Sequence, residues 1–367
     1  MSAPSLRVVI AGGGTGGHLY PGVAVARELQ RRDAGVQVSF AGTARGIESV
    51  VIPREGFPLD VIRSAGLKGK GFAERVRGAA LVPLSLADAW RVVSRRTPDL
   101  VIGVGGYSSG PVVLVAALRG VPTMLLEQNA VPGLTNRWLA RVVRAAGVTF
   151  DSTRRFFGSK AFVSGNPVRP EFFDAVGPAK EHTGDAHAPA AKVLVFGGSQ
   201  GSHAINMAMV EAAAELAASG RVCLTHQTGE RDLEAVRAAY RAAGLDVEVE
   251  AFLFDMGRRL AAADLVVCRA GATTLAEIAA ARKAAILIPL PTATDDHQRK
   301  NAEALVDAGA ADLLLQSDMT GRTLARRIVA LAADGGRRAR MAAAVAAFAR
   351  PDAARTIVDR ALQLVER

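Results

Sequence analysis

Cysteine, aromatic residues and long apolar runs are all scarce in this chain of 367 residues, and the scarcity excludes several classes of protein. Two cysteines, Cys223 and Cys268, supply neither a disulfide framework nor the ligand spacing of a zinc site. The longest apolar runs, such as residues 111–118, are far shorter than the roughly 18 residues that cross a bilayer. The N-terminal residues lack the charged and then apolar pattern of a secretory signal. We therefore expect a cytoplasmic protein with reduced thiols.

Positive charge is plentiful but unevenly distributed. Residues 1–170 contain 22 Lys and Arg against 10 Asp and Glu, whereas residues 171–367 contain 23 against 25. This asymmetry predicts an anionic partner for the N-terminal half, unless it serves solubility alone. Aromatic residues make up only 5% of the chain and no nucleic-acid-binding motif accompanies the basic residues, so nucleic acid is not an expected partner.

Five glycines and a histidine follow the first apolar run of the chain. Residues 6–10 read LRVVI, and residues 11–18 read AGGGTGGH. Glycine lets a backbone approach a ligand closely, and a helix predicted from about Tyr20 directs its positive end at the same place. The pattern predicts a phosphate-binding loop after a strand, in which His18 can take up a proton near neutral pH.

The same architecture recurs about 185 residues later, where residues 193–196 read VLVF and residues 197–202 read GGSQGS. Further strands are expected at 36–40, 100–104, 123–126, 163–164, 222–225, 247–251, 265–268 and 285–289. Helices are expected at 21–32, 112–118, 204–218, 233–243, 274–281 and through the tail 322–366. Apolar strands that alternate with helices are typical of parallel sheets covered on both faces. The expected fold class is therefore α/β, with two doubly wound Rossmann-like domains that face a cleft.

The domain boundaries follow from composition. Residues 177–191 are polar, small and turn-prone, which is typical of a linker. We expect an N-terminal domain at 1–170, a linker at 171–191 and a C-terminal domain at 192–345. Residues 346–367 are expected to form a C-terminal helix that packs back on the N-terminal domain.

A nicotinamide dehydrogenase is one alternative, because Gly12, Gly14 and Gly17 satisfy the spacing of the dinucleotide fingerprint. That fold needs an acidic residue at the end of the second strand to hold the adenosine ribose. Here the second strand ends in residues 39–43, SFAGT, without an acid. The dehydrogenase interpretation is therefore disfavoured.

The C-terminal half contains two further polar segments at expected strand ends. Residues 269–277, RAGATTLAE, follow the strand at 265–268, and residues 294–302, TDDHQRKNA, follow the strand that ends near Pro289. Glu277 falls in the first turns of a helix, where it can reach a ribose diol or interact with the helix dipole. The second segment offers several hydrogen-bonding groups to sugar hydroxyls, although a polar surface loop would look similar.

Eight segments, taken together and in order, resemble the MurG family of bacterial glycosyltransferases. They are residues 12–18 with Pro21 and Gly22, 66–71, 105–111, 127–136, 165–169, 197–201, 268–277 and 296–302. This family transfers N-acetylglucosamine (GlcNAc) from UDP-GlcNAc to the lipid-linked muramyl-pentapeptide precursor of peptidoglycan. The resemblance implies the two-domain GT-B glycosyltransferase architecture, with the nucleotide sugar on the C-terminal domain and the acceptor on the N-terminal domain.

The resemblance also implies which residues bind UDP-GlcNAc. They are Thr15, Gly16, Gly17, Asn129, Arg169, Ser199, Gln200, Leu253, Arg269, Ala272, Glu277 and Gln298. Glu277 is expected to hold the ribose hydroxyls, and the backbone of Leu253 is expected to contact the uracil. Ser199 and Gln200 are expected at the diphosphate and Gln298 at the GlcNAc hydroxyls. No metal and no other cofactor is expected.

Transfer with inversion needs a base for the acceptor hydroxyl. His18 is the candidate base and Glu127 is the alternative, while His18 could instead only fix its loop or bond a phosphate. The first glycine loop then faces the pyrophosphate of the acceptor. The residues expected there are Gly13, Gly14, Gly105, Gly106, Tyr107 and Ser108.

A basic and apolar segment at 63–96 is expected to contact the membrane that holds the lipid-linked acceptor. Cations around an apolar face are typical of an anchor on anionic lipid, and Leu86, Trp90 and Val93 share one helical face. The expected membrane residues are Phe72, Arg75, Leu81, Leu84, Leu86 and Trp90. A core helix with one solvated side is the alternative. We expect a peripheral protein on the cytoplasmic side of the bacterial membrane, with cell-wall synthesis proteins as further partners.

One segment departs from the family pattern. Residues 282–284 read RKA, where such proteins usually have Gly-x-Pro after the helix of the ribose glutamate. Loss of the glycine cap costs about 1 kcal/mol and leaves the loop geometry there in question.

The alternative function is that of another GT-B lipid glycosyltransferase with a different UDP-sugar.

Overall fold

Two parallel sheets carry the two halves of the sequence repeat, which confirms the expected α/β class. The computed structural model describes residues 5–14, 16–44, 46–64, 72–174, 190–198 and 200–366, with the backbone alone at 72–80, 174 and 294. The chain divides into unit 1, Met1–Val168 with Arg350–Arg367, and unit 2, Arg169–Ala349.

The sheet of unit 1 has seven strands in the order β3-β2-β1-β4-β5-β6-β7, and all its pairs are parallel. The strands are β1 (Arg7–Gly12), β2 (Gln37–Gly42), β3 (Leu59–Val61), β4 (Leu100–Gly105), β5 (Thr123–Glu127), β6 (Ala145–Val148) and β7 (Ala161–Val163). Every residue of β4 and β5 is buried, as parallel strands between two helical layers require.

The sequence does not predict β6, which consists of two alanines, a glycine and a valine. Alanine and glycine are depleted in strands, so only Val148 favours one. The strand forms because it lies between β5 and β7, where a Cβ on Gly147 would lie 3.1 Å from Ser164 Oγ. Close packing by neighbours, rather than propensity, therefore determines this element.

The helices of unit 1 are α1 (Gly16–Arg32), α2 (Glu48–Arg54), α3 (Phe72–Arg96), α4 (Ser109–Leu118), α5 (Leu134–Leu139) and α14 (Ala353–Val365). Helix α1 begins at Gly16, four residues before the expected start, so His18 lies in its first turn. The C-terminal α14 packs against α1, and its Ile357, Val358 and Leu364 join the core on that face of the sheet. Helices α3, α4 and α5 cover the opposite face.

Unit 2 repeats the arrangement with a six-stranded parallel sheet in the order β10-β9-β8-β11-β12-β13. Its strands are β8 (Ala191–Phe196), β9 (Val222–Gln227), β10 (Val247–Glu250), β11 (Leu265–Cys268), β12 (Ala284–Leu287) and β13 (Asp312–Leu313). Its helices are α6 (Glu171–Asp174), α7 (His203–Ser219), α8 (Leu233–Ala242), α9 (Met256–Ala262), α10 (Ala272–Ala281), α11 (His297–Val306), α12 (Gly321–Ala333) and α13 (Gly335–Ala346). The short helix α6 lies in the segment expected as a linker, and it packs on α9 and α10.

In both sheets the strand order reverses at one central pair, β1 with β4 and β8 with β11. Ligands of doubly wound folds bind beyond the carboxyl ends of the strands at such a switch point. The first glycine loop follows β1 and the second follows β8, so each lies at the switch point of its own unit.

The departure at residues 282–284 leaves the end of α10 intact. Arg282 itself adopts the left-handed conformation, with φ 53° and ψ 54°, that a glycine would supply. The cap amides still bond, since Arg282 N–H donates to Ala279 O and Lys283 N–H donates to Ile278 O. The end of α10 therefore keeps its cap hydrogen bonds at a local strain of about 1 kcal/mol in Arg282.

Candidate active site

The first glycine loop, residues 12–18, contacts the loop after β4 backbone to backbone. A Cβ on Gly12 would lie 2.4 Å from Gly105 O, and a Cβ on Gly106 would lie 2.5 Å from Gly13 O. Side chains at these positions would force the two loops apart. The structure thus brings together Gly13, Gly14, Gly105 and Gly106, as the sequence predicts, while Thr15 lies outside the described residues.

A buried carboxylate that the sequence does not predict holds this loop. Glu48, at the start of α2, is fully buried. Its Oε2 accepts a 2.8 Å hydrogen bond from Gly14 N–H, and its Oε1 accepts bonds of 2.8 Å from both the N–H and the Oγ1 of Thr43. Burial acts to raise the pKa of Glu48, but these hydrogen bonds outweigh it and hold the pKa below its ordinary value. The loop is therefore fixed by a negative charge.

His18 is oriented by a buried glutamine that follows β5. The Nδ1 of His18 lies 3.1 Å from Gln128 Oε1, and Gln128 Nε2–H donates to Val104 O at 3.2 Å. Burial lowers the pKa of His18 below its ordinary value, with the bond to Gln128 acting in the opposite direction. The imidazole is therefore neutral at physiological pH.

Glu127, the alternative base, is enclosed by donors from its own loop. It accepts hydrogen bonds from the N–H and Nδ2 of Asn129 at 3.0 and 3.1 Å, from Gly133 N–H at 3.2 Å and from Asn136 Nδ2 at 2.9 Å. Burial raises the pKa of Glu127, and these donors partly oppose that rise. The arrangement ties residues 127–136 together and leaves the carboxylate engaged within the protein.

The other residues expected at the acceptor and the membrane differ in exposure. Tyr107 is 47% exposed, whereas Ser108 is buried at the start of α4. The side chains of Phe72 and Arg75 lie outside the described residues. Leu86 and Val93 pack on the core, so Trp90 is the exposed member of the helical face predicted for these three residues. Leu84 is also exposed, and Leu81 is half-buried.

The second glycine loop, residues 197–202, rests on the turn after β9. A Cβ on Gly201 would lie 1.7 Å from Thr228 O, so a side chain there cannot be accommodated. Gln227, another residue that the sequence analysis missed, donates from Nε2 to Gly198 O at 2.8 Å and accepts from Leu253 N–H at 2.9 Å. It therefore links the loop to the residue expected at the uracil. Gln200 is exposed, and Ser199 lies outside the described residues.

A buried cation lies behind the second loop. The guanidinium of Arg269, which follows β11, donates to Ser202 Oγ at 2.7 Å and to Gln316 Oε1 at 2.7 Å. It also donates to the carbonyl oxygens of Ile288 and Pro289, each at 3.1 Å. Burial lowers the pKa of Arg269 to about 10, so it remains charged at neutral pH. The second loop is therefore fixed by a positive charge.

Glu277 combines burial with two charged neighbours. Burial raises the pKa of Glu277 to about 7, while the charge of Arg169 lowers it and that of Glu171 raises it. Arg169 and Glu171 form a 3.1 Å ion pair at the start of unit 2. The structure thus brings together Arg169 and Glu277, both expected at the donor, and it makes Glu277 a carboxyl that titrates near neutral pH.

Two further expected donor residues, Ala272 and Gln298, lie at the same edge of the sheet of unit 2, whereas Gly16, Gly17 and Asn129 belong to unit 1. Ala272 is the first residue of α10 and is buried. Gln298, in the first turn of α11, accepts from Leu290 N–H at 2.9 Å through its Oε1. This bond fixes the side-chain amide and directs its Nε2 donor away from Leu290.

The signals for the missed residues differ. Gln227 ends β9, so the rule that ligand groups gather at the carboxyl ends of parallel strands could have found it. Gln128 lies in the segment 127–136, between the predicted site residues Glu127 and Asn129. Glu48 had no such signal, because its role depends on Gly42, Gly46 and the first loop leaving room for its carboxyl group.

Two Rossmann-like sheets, each with a glycine loop at its switch point, are typical of the GT-B architecture, and two family models assign the chain to the glycosyltransferases. The chain matches the family models "Glycosyltransferase family 28 N-terminal domain" over residues 8–148 and "Glycosyltransferase family 28 C-terminal domain" over residues 192–357. The chain belongs to the MurG family within these glycosyltransferases, as the resemblance predicts.

Similar proteins cover nearly the whole chain. It is 47% identical over 364 residues to the UDP-N-acetylglucosamine--N-acetylmuramyl-(pentapeptide) pyrophosphoryl-undecaprenol N-acetylglucosamine transferase of Anaeromyxobacter sp. (strain K), covering 99% of this chain and 94% of that one. It is 48% identical over 375 residues to the protein of the same name from Pelobacter propionicus, covering 97% and 99%. The crystal structure of MurG from Acinetobacter baumannii superimposes with a TM-score of 0.79 at 32% identity, covering 98% and 99%.

Proposed function

We propose that this enzyme transfers GlcNAc from UDP-GlcNAc to the C4 hydroxyl of undecaprenyl-pyrophosphoryl-N-acetylmuramyl-pentapeptide, the last cytoplasmic step in making the peptidoglycan precursor. The observation that carries the proposal is the 47% identity over 99% of the chain to transferases named for this reaction. The two glycine loops, one backed by the carboxylate of Glu48 and the other by the guanidinium of Arg269, are proposed as separate sites for the reacting hydroxyl and for the nucleotide.

The second loop is proposed to hold the diphosphate of the donor. Its amides at the start of α7 and the buried charge of Arg269 both favour an anion. Ser199 and Gln200 lie in the same loop. Because these groups are fixed before the reaction, they stabilise the charge that develops on the departing UDP.

The other donor contacts follow from the fixed groups around this loop. Glu277 as a carboxylate accepts hydrogen bonds from the ribose hydroxyls. The N–H of Leu253 already donates to Gln227, so its carbonyl oxygen is the group proposed to accept from uracil N3–H. The Nε2 of Gln298 donates to the GlcNAc hydroxyls, and the backbone of Ala272 lies beside the same sugar.

His18 is proposed as the base. Its Nε2 takes the proton from the C4 hydroxyl as that oxygen attacks the anomeric carbon on the face opposite UDP. The bond from the anomeric carbon to the diphosphate oxygen breaks, and its electron pair leaves with UDP. Glu127 is less suited to this role because its carboxylate is held by donors from residues 129–136.

The first loop is proposed to meet the pyrophosphate of the acceptor. Gly14 N–H is engaged by Glu48, so the anion is held chiefly by the amide end of α1 together with residues 105–108. Gly16 and Gly17, at that helix end, are also the residues that the resemblance places at the donor. The carboxylate of Glu48 fixes the shape of the loop, and the helix end supplies the positive potential.

Unit 1 is proposed to lie on the anionic cytoplasmic surface of the membrane. Trp90 on α3, Leu118 on α4 and Trp138 on α5 are 55%, 75% and 69% exposed, and these three helices are neighbours on one face of the sheet. The Arg119 guanidinium lies 4.8 Å from the Trp90 ring centroid, which adds a cation beside the apolar surface. Among the described residues, no helix combines the length and apolar character needed to cross a membrane.

One reaction tests the proposed function. The purified enzyme is incubated with labelled UDP-GlcNAc and the lipid-linked muramyl-pentapeptide, and the lipid fraction is analysed for a labelled disaccharide. UDP-glucose and UDP-galactose in parallel reactions measure the sugar preference. A lipid product from either of these sugars, with none from UDP-GlcNAc, would favour the alternative lipid glycosyltransferase.

A further inference from the structure

Gln128 is buried and contacts His18. It is 2% exposed and follows directly after β5. Its side-chain amide has one partner at each end, with Nε2 3.2 Å from Val104 O and Oε1 3.1 Å from His18 Nδ1. Nothing in the proposed mechanism so far uses this residue.

The two contacts determine which way the amide points. The oxygen of Val104 is a backbone carbonyl and can only accept, so the NH₂ end of Gln128 must face it. The carbonyl end of Gln128 then faces His18 Nδ1, and that oxygen can also only accept. In the neutral imidazole, Nδ1 must therefore carry the hydrogen, and the lone pair lies on Nε2.

We propose that Gln128 is a positioning residue that fixes His18 in the Nδ1–H tautomer, so that Nε2 is the nitrogen with the lone pair. The consequence for catalysis rests on the proposed function, because it assumes that His18 takes the proton of the acceptor hydroxyl. The tautomer itself does not rest on it and is measurable without any substrate.

The backbone around the ring reinforces this assignment. A Cβ on Gly105 would lie 2.8 Å from His18 Nδ1, so the ring packs closely against the loop after β4 on its Nδ1 side. Val104, which anchors Gln128, is in the same strand as Gly105. The strand β4 therefore fixes both the glutamine and the histidine, and a ring flip would exchange the Nδ1–H donor for a C–H.

The experiment measures the tautomer directly. Protein with ¹⁵N-labelled histidine is examined without substrate at about pH 8, where the imidazole is neutral, by long-range ¹H–¹⁵N correlation. Loss of one set of signals in His18→Asn assigns the ring. A protonated Nδ1 with an unprotonated Nε2 is the expected result for the wild type, and a protonated Nε2 overturns the proposal.

Two variants of Gln128 separate positioning from structure. Gln128→Met removes both hydrogen bonds of the amide and leaves His18 only its smaller interaction with the Val104 backbone. We therefore expect the share of the Nδ1–H tautomer to fall and kcat to fall roughly tenfold or more, with the Kd for UDP-GlcNAc within about twofold. Gln128→Glu still offers an acceptor to Nδ1–H, so the tautomer is expected to persist. An unchanged tautomer in Gln128→Met overturns the proposal.

The same data distinguish failure of the proposed function. If Gln128→Met changes the tautomer while kcat stays at the wild-type value, the positioning of His18 stands and its role as the base is wrong. If the wild type transfers no GlcNAc to the lipid acceptor but shows the Nδ1–H tautomer, the reaction assignment fails and the inference about Gln128 does not.

Discussion

The two glycine loops are alike in sequence and opposite in electrostatics. The first is fixed by the buried carboxylate of Glu48, which accepts from Gly14 N–H. The second is fixed by the buried guanidinium of Arg269, which donates to Ser202. Since buried charges are weakly screened, the charge of Arg269 favours a diphosphate at the second loop. The charge of Glu48 opposes an anion at the first loop, where the amide end of α1 must supply the attraction. The two glycine-rich turns are therefore expected to differ in the strength with which they bind an anion.

The loops also position different kinds of group. The contacts around the first loop position a side chain, because Gln128 and Gly105 fix the His18 ring. The contacts around the second loop position the backbone, because the Gln227 side chain bonds to both Gly198 O and Leu253 N–H. This difference is consistent with the proposed roles, in which unit 1 supplies the proton acceptor and unit 2 binds the nucleotide.

The largest expected effect is in the first loop. His18→Ala is expected to reduce kcat by about 10²–10⁴-fold, because a positioned base contributes that much to proton transfer. The Kd for UDP-GlcNAc, measured by calorimetry, is expected to stay within about twofold of the wild type, because the nucleotide is proposed to bind unit 2. Turnover above about a tenth of the wild-type value would remove His18 from the role of base.

The second loop gives the next largest effect. Arg269→Met removes the cation behind the diphosphate site, and we expect the Kd for UDP-GlcNAc to rise roughly 100-fold, or about 3 kcal/mol. Arg338→Met is the matched control, because Arg338 is also a buried arginine of unit 2 and donates to the carbonyl oxygens of Leu331 and Ala332. Both variants are expected to melt at lower temperature, but Arg338→Met keeps its donor affinity. Equal losses of affinity in the two would mean that the charge of Arg269 serves folding alone.

A pH titration sharpens the comparison within unit 2. Burial raises the pKa of Glu277 to about 7, and the hydrogen bonds proposed from the ribose hydroxyls are stronger to its carboxylate form. We expect the affinity for UDP-GlcNAc to be constant above pH 7 and to fall up to tenfold per pH unit below it, with proton release on binding. Glu277→Gln is expected to bind more weakly and without this pH dependence.

The raised pKa of Glu277 also predicts how the stability of the fold depends on pH. A raised pKa in the folded state means that stability is lost as pH rises from the unfolded value, near 4.5, to about 7. Glu277→Gln is therefore expected to melt at a higher temperature than the wild type at about pH 8, despite its weaker donor binding.

For the binding prediction, a wild-type affinity for UDP-GlcNAc that does not vary between about pH 5.5 and 8.5 would exclude Glu277 from the donor site.

Much of the fold follows from the sequence because parallel strands between helical layers are continuous apolar runs. The central strands β1, β4, β8 and β11 are of this kind, and the motifs after them reach the switch points as the sequence predicts. Strand β6 was missed because neighbouring strands, and not its own residues, determine it.

The candidate site is less predictable than the fold. His18, Arg269 and Glu277 belong to short segments at strand ends, so a local pattern finds them. Glu48 lies 34 residues after Gly14, and their hydrogen bond depends on how α2 packs beneath the loop. Orientation is also hidden from the sequence, since the tautomer of His18 follows from which atoms of Gln128 meet Val104. Residues that act through other residues are therefore the ones that pattern alone does not find.

Glu48→Gln tests that kind of residue, with the smallest expected effect. The side chain keeps its size, but its NH₂ group meets the Gly14 or Thr43 N–H, and opposing a donor to a donor costs about 1–3 kcal/mol. Since the pKa of Glu48 is held below its ordinary value, the difference from the wild type is greatest at neutral pH and shrinks as acid protonates the carboxylate.

The measurements for Glu48→Gln are thermal unfolding and the two substrate constants. We expect a lower Tm and a several-fold higher KM for the lipid acceptor, with the Kd for UDP-GlcNAc within about twofold of the wild type. Glu55→Gln is the matched control in unit 1, because the Glu55 side chain is 36% exposed and its 3.0 Å ion pair with Arg27 contributes at most about 1 kcal/mol. If Glu48→Gln altered donor affinity as much as acceptor affinity, the two loops would not be independent sites. The contrast between a loop fixed by a carboxylate and a loop fixed by a guanidinium would then have no functional consequence.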